Sequence, residues 1–264
     1  MKLGIIAGFG EEDFKMAKAK GLSFIEICYN VGLDCREFYD QLDEIKARIA
    51  KYGVGIGSIG RWGSDKIAAD GSIIQEELDN SYLLIDICAQ LGCKVFNTGV
   101  NYVDSLSKFR NISCAIEFLQ KLVDYGKTKG VKVATYNCDW NNYVREPSIW
   151  EYTHGHIKDL GIKYDPTHCI NCGSGDYLGE VAAWGDRFYH VHIKGTINVN
   201  GDHVDDPPAG MDIINWGAFI GLLYAKQYDA NLSIEPHSDT WRGELSDFGV
   251  NFTINYISKF IYSK

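Results

Sequence analysis

Hydrophobic and polar positions follow two alternating periods along this chain. Stretches of helical length carry apolar residues three and four apart, for example Leu78, Tyr82 and Ile85. Each stretch ends at a glycine or a small polar turn, and a short β-rich segment follows within a few residues. Glycine suits this position because it adopts the left-handed conformation after a helix without a Cβ clash. The pattern therefore predicts helices that alternate with strands.

Counting these β-rich segments predicts the architecture. Strands that alternate with helices pair in parallel through right-handed crossovers, and eight such units close into a barrel. The fold class is therefore predicted to be α/β, a single (β/α)8 TIM barrel over residues 1–264 in one domain, with about 33 residues per unit. An open doubly wound sheet is the alternative, but it requires a reversal of strand order that sequence cannot show. The predicted strands lie within 3–7, 21–27, 53–59, 92–97, 130–135, 161–165, 185–192 and 231–235.

Composition narrows the range of partners. The chain has 26 Lys+Arg against 35 Asp+Glu, a net charge of -9, which disfavours nucleic acid and anionic membranes. Its 45% hydrophobic content supplies a large core. The apolar run after Met1-Lys2 is too short for a signal peptide or a membrane span. Eight irregularly spaced cysteines in a chain of this length favour reduced thiols and a cytoplasmic protein.

In such a barrel the active site gathers at the carboxyl ends of the strands. The sixth, seventh and eighth predicted strands end in Asp165, His192 and Glu235. Two carboxylates and an imidazole from neighbouring strands suit one divalent ion such as Mn²⁺, Mg²⁺, Co²⁺ or Zn²⁺. The sequence therefore predicts a metal site at this end of the barrel.

Three segments resemble motifs of one protein family. Tyr-Asp-Pro-Thr-His at 164–168 resembles an Asp-Pro-x-His motif, and His-Val-His-Ile-Lys at 190–194 resembles a His-Val-His-x-Lys motif. Asp-Pro-Pro-Ala-Gly at 206–210 resembles a Pro-x-Gly loop. Over residues 2–258 the chain thus resembles the xylose isomerase-like barrels, the sugar phosphate isomerases and epimerases.

This resemblance implies one divalent metal held by Glu, Asp, His and Glu. Asp165, His192 and Glu235 match the last three ligands, but Tyr136 stands where the first glutamate is expected. A phenol with a pKa near 10 is a poor ligand for Mg²⁺ or Mn²⁺. The fourth ligand is therefore left open among Asn137, its neighbours 138 and 139, and water, with His168 as a further candidate.

The resemblance also implies proton abstraction next to a sugar carbonyl, through an enediolate, with Glu235 as base. Epimerases of the family place a second glutamate on the opposite face, and Tyr136 replaces it here. Isomerisation or dehydration is therefore favoured over epimerisation. His168 or Lys194 is expected to orient a substrate oxygen or act as the acid. The alternatives are a dehydratase or lyase, and a barrel that binds sugar without turnover.

Substrate contacts are expected from an aromatic rim, because indole faces suit the C–H faces of sugars and cyclitols. Trp62 and Trp140 follow the third and fifth strands, and His237 follows the eighth. Glu26 is expected either to bind a substrate hydroxyl or to pair with Arg61. An unphosphorylated sugar or cyclitol is the expected partner, with a homo-oligomer possible. The residues predicted to bind substrate are Glu26, Trp62, Tyr136, Trp140 and His237.

Other motifs carry less weight. The G-x-G-x-x-G match at 55–60 falls inside a predicted strand, far from any helix N-terminus that could bind a pyrophosphate. The lone C-x-x-C at 169–172 lacks the further ligands of a zinc site. His154 and His156 are expected to be solvated or to cap a helix. An endonuclease IV-type phosphodiesterase shares the barrel, but the negative charge and the few metal-binding residues disfavour it.

Overall fold

Eight parallel strands and a surrounding layer of helices make up the structure, a computed structural model that describes residues 1–262. In the order of hydrogen bonding the strands run β1-β10-β7-β6-β5-β4-β3-β2, and β2 closes the ring on β1. The predicted (β/α)8 barrel is thus confirmed. The barrel strands are β1 (Lys2–Ile6), β2 (Phe24–Cys28), β3 (Gly55–Arg61), β4 (Val95–Thr98), β5 (Lys132–Tyr136), β6 (Gly161–Tyr164), β7 (Phe188–Ile193) and β10 (Asn231–Ile234).

The helices pack their apolar faces on the outside of this barrel, around fully buried side chains such as Phe118, Trp150 and Phe219. Two of the crossovers, after β2 and after β6, carry two helices each. The helices are α1 (Glu11–Ala19), α2 (Cys35–Asp40), α3 (Leu42–Tyr52), α4 (Gln75–Gln90), α5 (Lys108–Lys129), α6 (Pro147–His156), α7 (Pro166–Cys172), α8 (Tyr177–Trp184), α9 (Trp216–Ala225) and α10 (Glu244–Ile257).

The pattern of helix, glycine and strand has the predicted geometry. Gly53 ends α3 with a φ of 67°, and Gly130 ends α5 with a φ of 68°. A side chain in this left-handed region would be strained. The G-x-G-x-x-G segment lies in β3, as expected, and the next helix begins only at Gln75. The eight cysteines, all between 28 and 172, are free thiols.

Two features of the fold are absent from the sequence prediction. A small antiparallel hairpin of β8 (Ile197–Val199) and β9 (Asp202–Asp205) follows the seventh barrel strand. At the amino-terminal end of the barrel the Phe24 ring fills the interior so closely that a Cβ at Gly4 or Gly57 would overlap it. Within residues 1–262, every helix is too short or too polar to cross a bilayer.

Candidate functional site

A cavity of about 260 Å³ opens at the carboxyl ends of the barrel strands, where catalytic sites of this fold lie. Seven of the residues predicted from sequence line it. They come from five different strand ends, so the barrel closure brings together side chains far apart in sequence. The seven are Trp62, Trp140, His168, His192, Lys194, Glu235 and His237.

Three of the four predicted metal ligands lie together, since His192 and Glu235 line this cavity and Asp165 is fully buried beside them. Asp165 caps α7, and its Oδ1 accepts hydrogen bonds from the Thr167 amide at 2.8 Å and the Thr167 hydroxyl at 2.7 Å. His192 Nδ1 lies 2.8 Å from Glu235 Oε2 and 3.8 Å from Asp165 Oδ2. One ligand atom of each residue lies within 4.8 Å of the other two. The three side chains are thus close enough to share one ion.

Lys194 links both carboxylates of this group. Its Nζ lies 3.2 Å from Asp165 Oδ2 and 3.3 Å from Glu235 Oε2. Burial, the largest single effect, would raise the pKa of both acids, but the charge of Lys194 together with those of the neighbouring histidines and Lys163 holds each pKa below its usual range. The same two carboxylates raise the pKa of Lys194 despite its burial. The site therefore contains two carboxylates and a fixed ammonium at neutral pH.

His168 projects from α7 beside Lys194, and its Nε2 lies 3.4 Å from the lysine Nζ. Burial, assisted by the charge of Lys194, lowers the pKa of His168 to about 4. The ring is therefore neutral at pH 7, which suits a group that hydrogen-bonds to a substrate oxygen or relays a proton.

Glu26 lies behind His192 rather than in the cavity, and its side chain is fully buried. Its Oε2 accepts from His190 Nε2 at 2.7 Å and from His192 Nε2 at 2.9 Å. The second contact fixes the ring of His192 so that Nδ1 faces the cavity floor. The expected pairing of Glu26 with Arg61 is wrong, because Arg61 binds the Glu77 carboxylate.

The polar atoms of Asn137 and Tyr136 contact groups other than the side chains of Asp165, His192 and Glu235. Both polar atoms of the Asn137 amide bind the backbone of Asp165, at 2.8 and 2.9 Å. The Tyr136 ring stacks on Trp62 with centroids 4.9 Å apart, and its hydroxyl points to the Trp140 carbonyl at 3.4 Å. In this geometry Asn137 positions Asp165, and Tyr136 supports the aromatic wall.

The rim of the cavity contains one buried and one open indole. Trp62 is buried against Tyr136, whereas Trp140 is 48% exposed and stands at the mouth. His237 is also exposed, and its Nδ1 lies 3.0 Å from Asp206 Oδ2. That hydrogen bond raises the pKa of His237. His154, expected to be solvated or to cap a helix, is instead fully buried, with its Nε2 3.0 Å from the Gly161 carbonyl.

Sequence and structure comparisons agree with this architecture. The profile of the family described as xylose isomerase-like TIM barrel matches residues 14–255. The chain belongs to this family. No curated protein matches it by sequence.

Several solved structures share the fold of this xylose isomerase-like barrel. D-allulose 3-epimerase from Methylomonas sp., in complex with D-allulose, is 16% identical with a TM-score of 0.78, over 99% of this chain and 97% of that one. D-psicose 3-epimerase from Clostridium cellulolyticum H10, with D-tagatose, is 15% identical with a TM-score of 0.77 over 100% of both chains. 3-keto-D-glucoside 4-epimerase from E. coli is 16% identical with a TM-score of 0.75, over 98% and 99%.

The cavity of this xylose isomerase-like barrel also contains a charged residue, Lys163, that was not predicted from the sequence. Lys163 lies on β6, is 2% exposed, and places its Nζ 2.8 Å from His192 Nδ1. Strand alternation could have revealed it, because residues 163 and 165 point to the same side of a strand and Asp165 points inward. A lysine two residues before a predicted ligand is therefore a readable signal.

Proposed function

We propose that the protein is an isomerase or epimerase of an unphosphorylated sugar or cyclitol, acting through an enediolate with Glu235 as the base. The observation that carries the proposal is the convergence of Asp165, His192 and Glu235 within 4.8 Å on the cavity floor. Structurally similar proteins are named as epimerases of D-allulose, D-psicose and 3-keto-D-glucoside, which supports the same substrate class. The eight free thiols support a cytoplasmic location.

The donor set fits a divalent cation. Two carboxylates and one imidazole leave coordination positions open for substrate, as in catalytic metal sites with three protein ligands. Among residues 1–262, Asp165 Oδ2 is fully buried and has Lys194 Nζ, at 3.2 Å, as its ion-pair partner without a well-aligned hydrogen bond, which suits an oxygen that can still accept a cation. Asp165, His192 and Glu235 would hold the ion, whether Mn²⁺, Mg²⁺, Co²⁺ or Zn²⁺. When bound, such an ion would act as a Lewis acid on the carbonyl and hydroxyl oxygens of the substrate.

The positions and charges of the other side chains give their proposed roles in the reaction. Glu235 is ionised and 19% exposed to the cavity, so its carboxylate can take a proton from the carbon next to the substrate carbonyl. Lys194 Nζ, 3.3 Å from Glu235, can donate to the oxygen on which negative charge develops. The half-exposed Trp140 offers an apolar face to the sugar ring.

A single base favours isomerisation over epimerisation. Epimerisation by two carboxylates needs a second one on the opposite face, and the sequence of β5, Lys-Val-Ala-Thr-Tyr, contains none. Glu235 can instead return the proton to the neighbouring carbon while the hydroxyl proton passes to the former carbonyl oxygen, which interconverts a ketose and an aldose. The same base can start an elimination, so dehydration of a sugar or cyclitol is the second candidate reaction.

The test measures exchange of substrate hydrogen with solvent, monitored by ¹H NMR in D₂O. The substrates are a panel of ketoses, aldoses and ketocyclitols, each tested with added Mn²⁺, Mg²⁺, Co²⁺ or Zn²⁺. We expect exchange at the carbon beside the carbonyl, and a loss of about 10²–10⁴-fold in Glu235→Gln. Glu244→Gln, an exposed glutamate at the start of α10, is the matched control and should keep the parent rate.

A Glu235→Gln rate equal to that of the parent would show that Glu235 is not the base. Binding of a sugar without exchange in the unaltered protein would favour the non-catalytic alternative. Tyr136, in place of a carboxylate, is the specific observation on which that alternative rests.

A further inference from the structure

Lys163 carries a positive charge into the position where the proposed cation would lie. Its side chain is only 2% exposed and lines the cavity, with Nζ 2.8 Å from His192 Nδ1 and 5.6 Å from the centre of the Trp62 ring. A divalent ion coordinated by His192 would lie about 2 Å from the same nitrogen. The ammonium and the ion therefore cannot both contact Nδ1.

The surroundings of Nδ1 contain two incompatible partners. Glu235 Oε2, at 2.8 Å, can only accept a hydrogen bond, so it requires a proton on Nδ1. Lys163 Nζ, also at 2.8 Å, can only donate, so it requires Nδ1 to be bare. One nitrogen cannot meet both requirements at once. A cation at this point would satisfy His192 and Glu235 together, but only if Lys163 withdraws from Nδ1 and Lys194, 3.3 Å from Glu235 Oε2, gives up its share of that oxygen.

Strand register connects Lys163 with the unusual Tyr136. The two residues are paired neighbours on β5 and β6, at the same level of the barrel. Where the family resemblance implies a carboxylate ligand, this chain thus presents a neutral phenol whose hydroxyl points to Trp140, and a lysine beside it. Both differences disfavour a divalent cation, one by removing negative charge and the other by adding positive charge.

We propose that Lys163 is an internal cation that occupies the metal position of this barrel and competes with the divalent ion for His192. The bound ion displaces the ammonium from Nδ1 toward the cavity and the Trp62 face. Lys163 thereby sets the metal affinity of the site and makes it weaker than the three ligands alone would give. The inference rests on the proposed metal site but not on the sugar reaction.

The experiment compares the affinity for Mn²⁺ and Co²⁺ by isothermal titration calorimetry in the parent, Lys163→Met and Lys163→Gln. Removing a unit charge a few ångströms from a divalent ion should tighten binding by at least about tenfold in both variants. Lys158→Met, an exposed lysine on the loop before β6, is the control and should bind as the parent does. The double variant Tyr136→Glu/Lys163→Met should bind most tightly.

A second measurement uses the unaltered protein and does not depend on the variants folding. Amine acetylation with acetic anhydride, read by peptide mass spectrometry, should modify Lys163 more rapidly when saturating Co²⁺ is present, because the ion expels the ammonium into the cavity. Equal affinities in the parent and both single variants, or metal-independent acetylation of Lys163, would overturn the role of Lys163 while leaving the proposed metal site intact. Failure of every variant to bind metal would overturn the metal site as well.

Discussion

Two buried groups of charged side chains lie near the carboxyl ends of the barrel strands, and their hydrogen bonding differs. The first, the Glu77 cluster, consists of Arg61, Ser64, Lys66 and Glu77. Glu77 Oε1 accepts from Arg61 at 2.6 Å, and Oε2 accepts from Arg61 Nε at 2.9 Å, Lys66 at 2.6 Å and Ser64 at 2.7 Å. Each contact joins a donor to an acceptor. Despite burial, the hydrogen bonds from Arg61 and the charge of Lys66 lower the pKa of Glu77.

The second group, around His192, is only partly satisfied. His192 Nδ1 faces a donor and an acceptor at the same distance, 2.8 Å. Within residues 1–262, Glu26 Oε1 is buried without a hydrogen bond, and Asp165 Oδ2 has only its ion pair with Lys194 at 3.2 Å. A fully satisfied polar network makes a fold more rigid, whereas a partly satisfied one is costly and is tolerated where function requires it. The Glu77 cluster thus has the hydrogen bonding of a structural group, whereas the His192 group has that expected of the proposed binding site.

The largest effect expected from this comparison is that of Glu77→Ala. The substitution leaves Arg61 and Lys66 buried without their counter-charge, which should lower the free energy of unfolding by about 3–5 kcal/mol. Urea denaturation measures it. Glu76→Ala, at an exposed position in the same helical turn, is the control and should change stability by less than about 0.5 kcal/mol. Equal effects of the two substitutions would contradict a structural role for the Glu77 cluster.

The strand ends were accessible from the sequence because the βα repeat is regular. Once eight strands are counted, Asp165, His192 and Glu235 fall at neighbouring barrel positions without further information. The partners of Glu26 were not accessible, since His190 lies 164 residues away and the contact depends on side-chain conformation inside the closed barrel. The pairing of Arg61 with Glu77 was missed for a related reason. It depends on how the loop after β3 returns along α4, which periodicity does not specify.

His154 allows the stability of a buried group to be tested by pH, because the surrounding fold keeps this histidine neutral. Its Nε2 lies 3.0 Å from the Gly161 carbonyl and its Nδ1 lies 3.0 Å from the Thr153 hydroxyl. Burial lowers its pKa to about 3, against about 6.5 for an ordinary histidine. The unfolded chain therefore binds a proton before the folded protein does as the pH falls.

It follows that stability due to neutral His154 is complete above about pH 6.5 and is lost as the pH falls toward 3. The loss should reach roughly 2–4 kcal/mol. His154→Gln keeps a donor for Gly161 but cannot titrate, so the difference in unfolding free energy between parent and variant should change across this window and be constant above it. His156→Gln, at the exposed end of α6, is the control. A difference independent of pH would show that His154 is not held neutral.

Asn137→Ala has the smallest expected effect on stability. It tests a residue that both stabilises the fold and positions the proposed ligand Asp165. Asn137 gives Asp165 a donor and an acceptor, at 2.8 and 2.9 Å, so alanine should cost about 1–3 kcal/mol of stability and misplace Asp165.

A second variant, Asn137→Asp, separates a positioning role of residue 137 from metal coordination. A charged oxygen would strengthen metal binding if residue 137 were a ligand. If it only positions Asp165, the substitution removes the donor to the Asp165 carbonyl, and both variants should bind Mn²⁺ more weakly than the parent in calorimetry. Tighter binding by Asn137→Asp would identify residue 137 as the fourth ligand.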